Sequence, residues 1–149
     1  MIALSRRRPG SITLFAVLFF ASSLIVFVER MFNLADEAAM LQRLFPAIDW
    51  SRDVTIVWFS AWLSIALIPI GMVWLSAVRF ARWLVTLMAG AKVLLLVPTV
   101  ASKPELLGLL GPVWLVSTLL GLGAVAMLFT PASNRWFAHK GEEDPAVFE

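Results

Sequence analysis

The residues with chemistry to offer are few and far apart. Lys92 is the one charged side chain set well inside an apolar run, Glu29 closes another such run, and the single histidine, His139, falls near the C-terminus. An ammonium inside hydrocarbon costs about 2.5–3.5 kcal/mol on insertion scales, so Lys92 needs a carboxylate, a backbone oxygen or water. Glu29 and Lys92 are therefore expected to form an ion pair. At 1.5 Å per helical residue, Glu29 stands about 27 Å beyond Ser11 and Lys92 about 15 Å beyond Arg82, a gap of roughly 12 Å. The backward tilt of a helical side chain lowers the carboxylate, and the lysine stem extends upward by roughly 6 Å. The heads meet only if the first and third apolar runs are neighbours. The competing role for Lys92 is contact with a transported ion or substrate.

Other chemistry lacks its residues. With no cysteine, neither a disulfide framework nor thiol exchange is available. One histidine cannot supply paired axial ligands to a haem, a three-ligand zinc set, or a base for the serines of the apolar runs. No catalytic, cofactor-binding or metal-binding residue is assigned, and the chain is expected not to be an enzyme. Its charge of +2 and pI near 9.7 come from residues scattered at the borders of apolar runs, which argues against nucleic acid as a partner.

The elements that hold these residues are set by hydropathy. At 149 residues, 60% hydrophobic, with a mean hydropathy of +0.88, the chain is too apolar for a soluble domain of its size. The expected fold is an all-α membrane protein forming one domain: a four-transmembrane-helix bundle with spans at about 11–28, 54–75, 83–100 and 106–129. A short amphipathic outer helix lies between the first two spans, and a tail follows from 131 to 149. Each span has roughly the length needed to cross a ~30 Å core. The first run continues past the small residues Ala21, Ser22 and Ser23, so it is expected to be an uncleaved helix rather than a signal peptide. Small four-span proton-coupled exporters resemble the chain in size. The carboxylate their pattern places well inside the first span has no counterpart here, since 11–28 contains no acid.

Between the first two spans, Leu34, Ala38, Leu41 and Phe45 recur at helical spacing and form a candidate interaction surface, with Asp36, Glu37 and Arg43 pointing elsewhere. Asn33 is the expected N-cap, Pro46 the stop, Ser51 the cap of the second span and Trp50 an interfacial aromatic. Small residues mark helix-packing faces at Ser60 and Ser64, at Gly90 with Thr86, and at Ser117 and Gly121. Pro69 predicts a kink. Pro131 is read as the end of the fourth span, and Arg135 and Trp136 as an interfacial anchor.

Arg79 and Arg82 are the only charges in the tight turn between the second and third spans, which makes them a cytoplasmic anchor. Placing both termini on that side puts seven Lys/Arg inside and four outside. A bacterial inner membrane is the expected location. Beyond the lipid bilayer, the expected partners are larger membrane-protein subunits, for which this chain would be a non-catalytic accessory or structural subunit, possible in a bioenergetic complex. The alternative is a small homo-oligomeric transporter or channel using Lys92. In this cysteine-free chain a cysteine introduced at the 79–82 turn, first at Ala81, should react with an impermeant reagent only from the cytoplasmic side; labelling from outside would invert the topology.

Overall fold

The computed structural model describes residues 9–76, 79–102 and 111–138; side chains at 76, 92 and 95–102 lie outside the description. Among the described residues the chain is all helical: α1 (Gly10–Phe32), α2 (Leu34–Leu44), α3 (Arg52–Ser76), α4 (Arg79–Ser102), α5 (Pro112–Leu128) and α6 (Pro131–Ala138). Two helices, α1 and α3, are long and apolar enough to cross a membrane, and α5 with α6 makes a third if that pair, bent by 58°, counts as one span. The chain is a membrane protein by this measure.

The long helices close a ring of antiparallel neighbours. α1 packs on α5 and α3, and α4 packs on α3 and α5. The closest fit is between α1 and α5, whose buried faces repeat at helical spacing: Ile12, Phe15, Phe19 and Ser22 on one, and Ser117, Gly121, Ala124 and Leu128 on the other. Ser22 donates a buried hydrogen bond to the Ser117 carbonyl at 2.7 Å, and a Cβ on Gly121 would meet Ser22 Oγ at 3.6 Å. Small residues let the backbones approach until a hydroxyl reaches across. The expected face at Ser117 and Gly121 thus lies against a serine that sequence spacing had not singled out.

The other small-residue positions lie elsewhere. Ser64 is exposed, with its hydroxyl turned back to the Ser60 carbonyl at 2.9 Å, while Ser60 itself is half-buried. Gly90 has open space where a Cβ would stand. Close contact on α4 comes instead from Ala81, Val85 and Ala89, and on α3 from Thr55, Phe59, Ala66, Pro69 and Val73. α3 remains one helix through Pro69.

Pro131 does not end helical structure. It occupies the first turn of α6 after Thr130, whose Oγ1 accepts from the Ser133 N–H at 3.4 Å. Proline suits a first helical turn because its missing N–H has no partner to lose there. Trp136 and Phe137 are buried with Ile12, Phe15, Ala81 and Val85, so Trp136 is a core residue and not an interfacial anchor. Ser133 Oγ lies 2.8 Å from Ser11 Oγ and donates to the Met127 carbonyl at 2.6 Å, tying α6 to the start of α1. Because Ala81 is fully buried and Phe80 is 67% exposed, Phe80→Cys is the better topology probe.

At the α1–α5 contact, steric fit should outweigh the hydrogen bond. Ser22→Ala removes one interhelical bond, worth about 0.6 kcal/mol. Gly121→Leu overpacks the same contact at about 1–3 kcal/mol, whereas Gly121→Ala should be tolerated at 3.6 Å. Unfolding by SDS from mild detergent should rank Gly121→Ala, Ser22→Ala and Gly121→Leu in increasing order of damage.

Candidate functional site: a cavity between four helices

Two packed apolar layers leave a space between them. One layer, at the α6 end, is the cluster containing Phe15, Val85, Leu128 and Phe137. The other, at the α2 end, contains Leu41, Trp50 and Phe59, with Phe27, Met31 and Leu34 against it. Between them is a cavity of about 450 Å³, partly open on one side. Aromatic rings form much of its wall: Phe19 and Phe27 from α1, and Trp58, Phe59 and Trp62 from α3. Met88 and Ala89 of α4 close the side opposite α1, and Ser117, Thr118 and Gly121 of α5 complete it.

Most polar groups of the wall are engaged. Ser22 Oγ donates to the Ser117 carbonyl, Ser23 Oγ to the Phe19 carbonyl at 3.1 Å, and Ser117 Oγ to the Trp114 carbonyl at 3.0 Å. Thr118 Oγ1 is buried and has no hydrogen-bond partner among the described residues. Arg30 is the charged residue in the wall. Its Nη1 donates to Glu37 Oε2 at 3.1 Å, and its guanidinium carbon lies 4.8 Å from the centre of the Phe59 ring.

That ion pair fastens α2 over the α2 end of the cavity. Glu37 was expected to point away from the packed face, yet it is four-fifths buried at the side chain and holds Arg30. The one-residue link at Asn33 brings them together. Asn33 holds the N-cap position of α2, its carbonyl accepting from the Glu37 N–H at 3.0 Å, but its side chain makes no capping bond there: its N–H and Nδ2 both donate back to the Glu29 carbonyl, at 3.1 and 3.0 Å, and so close α1 as well. Of the expected interaction surface, Leu41 is buried and Leu34 and Ala38 are half-buried. Phe45 is exposed, because the helix ends at Leu44 and the chain there turns outward. Trp50 is buried rather than interfacial: its indole N–H donates to the Phe45 carbonyl at 3.2 Å, and its ring meets Trp58 edge-on at 5.4 Å. Ser51 Oγ accepts from the Val54 N–H at 3.4 Å and caps α3.

The side chain of Lys92 lies outside the described residues, and so does its pairing with Glu29. Glu29 is beside the start of α5, where a Cβ on Gly111 would meet its Oε1 at 4.0 Å. A carboxylate suits the positive end of a helix dipole.

At the opposite end, Arg79 and Arg82 fasten α6. Arg79 Nε donates to the Phe137 carbonyl at 2.9 Å and its Nη2 to the Ala138 carbonyl at 3.2 Å, capping the C-terminus of α6. Arg82 Nη1 donates to Asn134 Oδ1 at 2.8 Å, with its guanidinium within 5.5 Å of the Phe129 and Phe137 ring centres. His139 lies outside the described residues. Among the described residues no group of three His, Cys, Asp or Glu is placed to hold a metal.

Glu37→Gln should loosen α2 without unfolding the ring. A partly exposed ion pair is worth about 0.5–1 kcal/mol, so amides 36–44 should exchange roughly two- to fivefold faster in nanodiscs, with α3 amides unchanged. Equal acceleration in α3 would show that the ion pair holds more than α2. Compared with known proteins, the chain matches no protein-family model, no curated protein and no solved structure.

Proposed function

We propose that this protein is a four-span integral membrane protein of a bacterial inner membrane, with both termini cytoplasmic, acting as a non-catalytic accessory or structural subunit of a larger membrane assembly. The spans are α1, α3, α4 and α5. The observation that carries this proposal is the unequal use of small-residue faces. Ser22, Ser117 and Gly121 are consumed in closing the ring, whereas Ala61 and Ser64 stand exposed on α3, beside the half-buried Ser60 and between the exposed Val57 and Ile68. Lipid gains nothing from a row of small residues, while a second helix gains close backbone approach.

The test is extraction from native membranes in mild detergent, followed by identification of stoichiometric partners. A larger membrane subunit should co-purify, and Ser64→Phe should reduce its recovery several-fold without lowering the amount of folded protein, because Ser64 is exposed. Recovery of a bare homodimer that moves ions or small molecules across liposomes, with Lys92→Met abolishing that activity, would replace this proposal with a homo-oligomeric transporter.

A further inference from the structure

The cavity between α1, α3, α4 and α5 combines features that no internal packing role requires. Its volume of about 450 Å³ falls in the ~300–1,000 Å³ range of small-molecule sites. A space this large left empty would be costly in lost contacts between two otherwise packed layers. Its wall offers flat aromatic surfaces, with Trp58 and Trp62 held edge-to-face at 5.9 Å on the α3 side. Trp62 is half exposed, so the cavity opens sideways at that ring and not only toward the ends of the helices.

We propose that this cavity binds a lipid-soluble quinone: a planar ring carrying carbonyl oxygens, with an isoprenoid tail that leaves past Trp62 into the bilayer. Three observations select this chemistry. Thr118 lines the cavity and its hydroxyl, buried without a hydrogen-bond partner among the described residues, needs an acceptor. Arg30 offers further N–H donors at the α2 end while its charge is already balanced by Glu37, so a neutral acceptor fits there better than an anionic headgroup, which would also meet the carboxylate. The rings of Phe19, Phe27, Trp58, Phe59 and Trp62 favour a flat head over a flexible acyl chain, since stacked rings gain beyond their buried area. Seen along α1, Arg30 lies two turns beyond Ser22, which is level with Ser117 and hence with Thr118. Donors therefore stand at both ends of the space, as a ring with oxygens on opposite edges requires. This inference is independent of whether the chain docks to a larger subunit.

The full chain in phosphatidylcholine nanodiscs should be titrated with decylubiquinone, reading tryptophan fluorescence and the unfolding temperature. Saturable quenching and a rise in unfolding temperature are expected. Thr118→Val, which keeps the shape but removes the donor, should weaken binding about three- to tenfold while leaving the ligand-free unfolding temperature unchanged. Trp62→Leu should weaken it by a similar factor, and Ser64→Ala, on the outward face of α3, should bind as the parent does. Non-saturating quenching that is identical in all variants overturns the proposal. So does equal competition by phosphatidylglycerol, which would make the cavity an acyl-chain slot.

Discussion

The approach of α1 to α5 is the constraint on which the remaining packing depends. A hydroxyl at Ser22 reaches the Ser117 carbonyl because Gly121 carries no side chain beneath it. That contact fixes both the separation and the register of two antiparallel helices. With the register set, Gly111 falls beside Glu29 at one end, and at the other Ser133 falls beside Ser11. α3 packs on α1, and α4 packs on α5 and α3 to complete the ring. The space they leave is bounded by rings from α1 and α3 rather than filled by them. Apolar packing dominates both ends, and the polar groups are spent on fastening: Arg30 to Glu37 above, and Arg79 and Arg82 to α6 below.

What the sequence makes legible follows from how local each determinant is. The long helices could be read from apolar runs, because a stretch of that hydropathy has few other ways to satisfy its backbone. The first three turns of α2 were equally readable: Leu34, Ala38 and Leu41 turn inward at their helical spacing. Phe45 lost that orientation because the pattern continued one residue beyond the helix that carried it. Asn33 takes the expected N-cap position of α2, but an asparagine between two helices can serve either one with its side chain, and here the amide bonds a carbonyl of α1.

Less local features escaped. Two serines four apart on α3 look the same as two that pack, and only the positions of the other helices show that Ser64 is exposed and Ser60 half-buried. The order of helices around a ring is not encoded in any one of them, so a pairing such as Glu29 with Lys92 rests on which spans touch. α6 was hidden by its proline. Pro131 is equally suited to ending a helix and to opening one, and the signal for the second was Ser133, Trp136 and Phe137 at helical spacing, all three buried.

The contacts of α6 also set an order of events in the life of the chain. Ser11 meets Ser133 across 122 positions of sequence, and Arg79 reaches the Phe137 carbonyl across 58. A polypeptide is made from its N-terminus, so α1, α3 and α4 are synthesised before these partners exist. Until α6 has left the ribosome, the hydroxyl of Ser11 and the guanidinium of Arg79 have only water or lipid headgroups to bond. Completion of the fold is thus a late step of biosynthesis: eight residues near the C-terminal side fasten a ring whose walls were laid down first.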